Sequence, residues 1–162
     1  MTEHIAFVAL GANLGEPLVA LKGAVDAIGK IDATRVLAVS SFYSTAPVDS
    51  SGPDYVNAVC QIATRLDPHT LLRELQAIEN ANGRVRPVGV HNAPRTLDLD
   101  ILLFDDLTLA TSDLTVPHPK MHQRAFVLVP LTEIATECTI PGLGKAKNYL
   151  ASVADQEISK ID

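Results

Sequence analysis

Asp98 and Asp100 stand two residues apart in the run Leu97-Asp98-Leu99-Asp100-Ile101-Leu102-Leu103. In a β-strand, side chains two apart project from one face. Leu97, Leu99 and Ile101 then turn toward a core, and the two carboxylates share the opposite face. Two carboxylates about 7 Å apart at the backbone converge on cations placed between or beside them; without cations their charges repel. Magnesium suits such a pair, because it takes oxygen ligands and fills its remaining positions with water and phosphates. Spacing alone leaves a second reading open, two acids on a solvated strand face.

Cations surround this run. Arg84, Arg86 and Arg95 bracket an irregular stretch, and Arg124 follows Pro117-His118-Pro119. A guanidinium pairs bidentately with phosphate oxygens and stays charged at any relevant pH. On a closing loop, such groups stabilise charge that develops during phosphoryl transfer. Each arginine taken singly is equally an ordinary surface residue. Arg84 and Arg86 also lie just past an expected helix C-terminus, where positive charge is favoured anyway. His118 is held between two prolines, where it either donates to a phosphate or fills a turn. Tyr55 and Asn57 are two apart on an expected strand and offer a ring for stacking beside an amide for paired hydrogen bonds. Phe126 offers a second ring, with core packing as the alternative for each aromatic.

These side chains need a scaffold, and the chain reads as one. Residues 5–10 are apolar and end at Gly11, which predicts a buried first strand. Asn13 and Glu16 have the spacing of a capping box, and Leu18, Leu21, Val25 and Ile28 recur with helical period over residues 16–28. Residues 35–42 read as a strand and 44–53 as a loop with two prolines. Another strand fits 55–64. Asp67-Pro68 then caps a helix carrying Leu71, Leu72, Leu75 and Ile78 on one face. Residues 84–94 hold two prolines and a glycine without periodicity, a second long loop, before the aspartate strand. Asp105-Asp106 reads as a turn into a short strand at 107–109. A helix over 121–129 is expected to stop at Pro130, and another fits 145–153. The order strand, helix, strand, strand, helix, strand predicts a ferredoxin-like α+β fold in a single domain spanning residues 1–162, with a mostly antiparallel sheet, packed helices and a C-terminal helical extension.

Whole-chain properties narrow the function. The 162 residues suffice for a core without disulfides, and two cysteines are too few for a disulfide framework. No apolar run approaches the roughly 20 residues that span a bilayer. The first residues lack the basic start of a signal peptide. A cytoplasmic monomer is expected. The formal net charge of -6 argues against nucleic acid as a partner. Residues 84–124, however, hold five Lys/Arg against five Asp/Glu, so the excess negative charge lies elsewhere. That distribution permits an anion site. Neither the Gly-x-x-x-x-Gly-Lys-Ser/Thr loop nor the Gly-x-Gly-x-x-Gly turn occurs, so a bound nucleotide would lack both common cradles. An RNA-binding domain of related topology would need a basic face with exposed aromatics, and seven Phe/Tyr in this acidic chain count against it. A regulatory module of the same fold would bind without turnover, and would not need Arg84, Arg95 and two aligned aspartates together.

Several separated motifs resemble the 6-hydroxymethyl-7,8-dihydropterin pyrophosphokinases of folate biosynthesis. The most specific is Asn92-Ala-Pro-Arg-Thr-Leu-Asp-Leu-Asp-Ile101. It is joined in order by Gly11-Ala-Asn-Leu14, Ser41-Phe-Tyr43, Thr45-Ala-Pro-Val48, Pro53-Asp-Tyr-Val-Asn57, Glu79 with Gly83-Arg-Val-Arg86, and Leu114-Thr-Val-Pro-His118. The resemblance runs from the first strand to about Ile134. It implies the ferredoxin-like fold and a reaction in which ATP and the pterin alcohol give AMP and the pterin diphosphate. By the resemblance, Asp98 and Asp100 are the ligands of two Mg2+ ions, and Arg84 and Arg95 act on the transferred group. Gln76, Glu79, Arg86, Ile101, Thr115, His118 and Arg124 fall on the nucleotide side. Thr45, Pro47, Val48, Tyr55, Asn57 and Phe126 form the pterin pocket, with Tyr55 and Phe126 sandwiching the ring. His91 and Asn92 depart from the Arg-Trp of many members, Ala46 replaces a frequent proline, and the segment after Ile140 matches no motif.

Overall fold

The structure is a computed structural model that describes residues 2–46, 54–82 and 97–161. Alternation builds the first strand, β1 (His4–Ala12), whose even-numbered side chains Ala6, Val8, Leu10 and Ala12 are all buried. α1 (Pro17–Gly29) buries Leu21, Ala24 and Ile28. Its N-cap is Glu16, with Pro17 at the first turn and no side-chain capping bond. The expected Asn13–Glu16 capping box is therefore not formed, and Asn13 is instead buried after β1.

The strand expected over 35–42 ends early, as β2 (Thr34–Val39), and a separate strand, β3 (Tyr43–Thr45), follows it. They pair antiparallel with opposite ends of β4 (Tyr55–Thr64): β2 with residues 60–64 and β3 with residues 55–57. The break falls at Ser40, whose N–H donates to the Val59 carbonyl while its hydroxyl accepts from the Val59 N–H. The loop expected from residue 44 accordingly begins two residues later, and the rest of it lies outside the described residues. α2 (Pro68–Ala81) starts as expected, with Asp67 Oδ1 accepting from Thr70 N at 2.8 Å.

β5 (Asp98–Phe104) is followed by β6 (Leu109–Ala110) and β7 (Thr115–Val116), a small antiparallel pair. A 3-10 turn at Met121–Gln123 leads into α3 (Ala125–Ile134), which runs through Pro130 where an end was expected. Proline inside a helix costs about 3 kcal/mol; here Val127, Leu128, Pro130 and Leu131 are all buried on the sheet, and that packing carries the helix through. β8 (Thr139–Ile140) and β9 (Gly144–Lys145) form a hairpin. The helix expected over 145–153 is two 3-10 turns, Ala146–Tyr149 and Ala151–Val153. The chain then returns as β10 (Ile158–Lys160) to pair with β3, so the C-terminal extension is part of the main sheet.

That sheet runs β10-β3-β4-β1-β5, with β2 also on β4, and every pairing is antiparallel. With β2 and β3 counted as one strand, this is the ferredoxin-like order. Against one face pack α1 and α2 over Val8, Leu10, Ala58, Ile62, Leu99 and Ile101. α3 and the C-terminal turns cover only part of the other face, over Phe7, Val59 and Leu103. A bulge in the β1–β5 register between Phe7 and Val8 adds one residue to β5, which is why Leu102 and Leu103 join the same core.

Candidate active site

The site lies on that second face, beside the first turn of α3. Gly11 on β1 is paired with Asn57 on β4 and with Asp98 on β5, which places the three in one row across adjacent strands. Directly opposed residues share a face, so Asn57 and Asp98 point to the same side. They are separated by two strand spacings, roughly 10 Å at the backbone. The next row holds Val59, Ala9 and Asp100. Asp98 and Asp100 are half-buried while Leu97, Leu99 and Ile101 are buried on the other face, as alternation requires.

Sequence also supplies the space between the two sides. A Cβ at position 11 would stand 3.0 Å from Asn57 Oδ1, so the absence of a side chain leaves room for the amide over β1. Asn57 Nδ2 donates to Thr45 Oγ1 at 2.7 Å, and both residues are buried. Thr45 in turn lies opposite Tyr55. Phe126, half-buried in the first turn of α3, is covered by the Arg124 guanidinium 5.4 Å from its ring centroid, a cation–π arrangement. Thr45 and Phe126 line one cavity of 370 Å³.

The nucleotide-side residues divide by exposure. Gln76 and Thr115 are exposed. Ile101 is buried at 3% exposure, so any contact it makes with a nucleotide is through its peptide. Glu79 is buried on α2, and its Oε2 accepts from Leu99 N at 2.7 Å. That bond ties the edge strand β5 to α2 between the two aspartates. His118 is fixed by its N–H donating to the Leu102 carbonyl at 2.9 Å, after a cis Val116–Pro117 bond. Lys120 N donates to His118 Nδ1 at 3.2 Å, which places the proton of a neutral ring on Nε2. Burial and then the Arg124 charge lower its pKa to about 4, against an opposing pull from Asp98.

Two residues outside the expected site also shape it. Gly11 appeared in the sequence only as the end of an apolar run and as part of a motif, and its role depends on a strand register that no local signal reveals. Glu133 on α3 accepts from Tyr43 Oη, Ser41 Oγ and Ser41 N, which anchors α3 to the strand carrying Thr45. Burial, followed by Glu133, pushes the Tyr43 phenol up to about 12. Arg84, Arg86 and Arg95, with Pro47 and Val48, lie outside the described residues, as does the whole stretch 83–96.

Among the described residues, no group of three or more His, Cys, Asp or Glu side chains gathers as a metal cluster. Two carboxylates on one strand face are hard oxygen donors, and they fit a cation whose other ligands are water and substrate phosphates. No helix among the described residues is long and apolar enough to cross a membrane.

Comparison with known proteins identifies relatives of this chain. Residues 7–136 match the family described as 7,8-dihydro-6-hydroxymethylpterin-pyrophosphokinase. The 2-amino-4-hydroxy-6-hydroxymethyldihydropteridine pyrophosphokinase of Haemophilus influenzae is 43% identical over 158 residues, covering 97% of this chain and 98% of that protein. The Bacillus subtilis protein of the same name is 44% identical over 136 residues, covering 83% and 80%. In structure, the chain is similar to Plasmodium falciparum HPPK-DHPS wild type with pterin and p-hydroxybenzoate. The TM-score is 0.74 at 14% identity, over 94% of this chain and 42% of that one. The chain thus spans well under half of that longer protein, and the likeness shows the shared fold. With that family matched over most of its length, the chain belongs to the 7,8-dihydro-6-hydroxymethylpterin-pyrophosphokinase family.

Proposed function

We propose that this chain carries out its family's transfer of the pyrophosphoryl group of ATP to the hydroxymethyl group of 6-hydroxymethyl-7,8-dihydropterin on the sheet face shared by Thr45, Asn57, Asp98 and Asp100. The observation that carries this placement is the row Asn57–Gly11–Asp98. It sets a hydrogen-bonding pocket on one side of a bare glycine and two carboxylates on the other. The pterin amide edge suits Asn57 and Thr45, with Tyr55 and Phe126 on its ring faces and Pro47 and Val48 completing the wall. Gln76, Arg86, Thr115, His118, Arg124 and the Ile101 peptide take the nucleotide.

In the reaction, the pterin hydroxyl oxygen bonds to the β-phosphorus of ATP and the bond from that phosphorus to the α,β-bridging oxygen breaks. AMP leaves with the bridging oxygen, and the hydroxyl proton is released. Asp98 and Asp100 would hold Mg2+, which when bound neutralises phosphate charge and orients the reacting oxygens. The chain's own residues supply position. Asn57 and Thr45 fix the pterin, so its hydroxymethyl group points along the row toward Asp98. Neutral His118 offers its Nε2–H to a phosphate oxygen without an added charge. Arg95 anchors the transferred group, and Arg84 acts on it as the transition state forms. Positioning and electrostatics dominate phosphoryl transfer generally, and no side chain is assigned as a general base. On this reading the enzyme works in the cytoplasm as a monomer.

Incubation with ATP, magnesium and the pterin, followed by separation of nucleotides, tests the reading. AMP that forms only when the pterin is present supports it. ADP, or no reaction, overturns it.

A further inference from the structure

The C-terminal segment carries none of the motifs above, yet it reaches both walls of the candidate pterin pocket. β10 pairs with β3 so that Ile158 stands opposite Thr45. Two residues earlier, the Gln156 side chain crosses to the start of α3. Its Oε1 accepts from Ala125 N at 2.8 Å, and its Nε2 donates to the Gln123 carbonyl at 2.9 Å. The two bonds bracket Arg124, the extended residue (φ -128°, ψ 117°) that joins the 3-10 turn to α3. α3 has no side-chain cap of its own at that residue, so the Gln156 oxygen satisfies an N–H that would otherwise be an orphan of the helix start. Because a donor and an acceptor are both matched, the opposite amide orientation would break both bonds. Gln156 and Glu157 also line the 370 Å³ cavity with Thr45 and Phe126.

We propose that Gln156 is a positioning residue for the reaction, setting the Arg124–Phe126 arc against Thr45 from the C-terminal tail. Phe126 follows Ala125 directly, and the Arg124 guanidinium lies over its ring. A rotation of the extended link at Arg124 therefore moves both side chains together. The amide of Gln156 fixes that link from its two sides, and pairing of β10 with β3 fixes the amide relative to Thr45. The pterin wall and the pocket's opposite edge are thus held in one frame by a residue whose amide is engaged by the backbone at Gln123 and Ala125. This rests on the reading of Phe126 as a pterin contact.

Steady-state kinetics of the full chain, varying pterin at saturating ATP, test the proposal with four variants. Gln156→Met keeps the side chain's length and removes both bonds. It is expected to raise the pterin KM about 5- to 10-fold with kcat within about twofold, the signature of lost uniform binding. Gln156→Glu keeps the acceptor and loses the donor, and is expected to give a smaller rise in KM. It carries the test if Gln156→Met does not fold. Ser152→Ala removes a bond made only to the Tyr149 carbonyl in the same tail, and both parameters should stay as in the wild type. Phe126→Ala should raise the pterin KM by itself. A KM unchanged in both Gln156 variants while Phe126→Ala raises it overturns the positioning role, as does an equal rise in Ser152→Ala. An unchanged KM in Phe126→Ala instead overturns the pterin-wall reading, and the proposal with it.

Discussion

Gly11 and Asn57 stand directly opposite each other on neighbouring strands, and a β-carbon on residue 11 would meet Asn57 Oδ1 at 3.0 Å. That separation is tighter than ordinary contact, so Gly11→Ala must push the amide away from its 2.7 Å bond to Thr45. The pterin KM should rise about 3- to 10-fold, the scale of one misaligned hydrogen bond, with a small change in melting temperature. An unchanged KM would mean that Asn57 yields freely or does not bind the pterin.

Asp98→Asn and Asp100→Asn should each lower turnover by about 100-fold or more at ordinary magnesium, since each removes a charged ligand from the transferring group's environment. Chelation of the metal should do the same to the wild type. Turnover within threefold of wild type in both would remove these residues from the metal site.

Glu79 was expected on the nucleotide side, and its bond to Leu99 N gives it a structural task. Glu79→Ala leaves a buried N–H unsatisfied and should cost about 1–3 kcal/mol of stability, read by urea titration. The spacing of Asp98 and Asp100 should loosen with it, raising the magnesium concentration needed for half-maximal turnover. A raised ATP KM with stability intact would favour direct nucleotide contact.

His118 has a folded-state pKa of about 4, below its ordinary 6.5. Between those values the unfolded chain binds a proton that the folded chain does not. Stability contributed by the neutral ring is therefore complete above pH 6.5 and falls as pH drops toward 4. His118→Gln should flatten that part of the stability profile of the metal-free protein. A ring resonance of His118 titrating near pH 6.5 would contradict the assignment.

Wherever one periodicity governed an element, the sequence revealed it. Leu97, Leu99 and Ile101 are buried beneath two outward aspartates, and Asp67 caps α2. Elements decided by distant partners were hidden. The break at Ser40 depends on Val59, α3 passes Pro130 because the sheet buries it, and β10 exists through its pairing with β3. The same limit applied to the site. Residue types suggested a metal pair, and the family resemblance implied a pterin pocket, but the row joining them needed the register of three strands. Gln156 gave no signal, since its partners lie about 30 positions away.

On the proposed reading, the pterin and the metal-bound phosphates meet across Gly11. Manganese can stand in for magnesium at oxygen sites, and its unpaired electrons broaden nearby proton resonances. In a complex with the pterin and a non-transferable ATP analogue, manganese should broaden the pterin hydroxymethyl protons strongly, and Asp98→Asn with Asp100→Asn should abolish the effect while the pterin stays bound. Sharp hydroxymethyl resonances in the wild-type complex, with both ligands confirmed to be bound, would contradict this arrangement of the site.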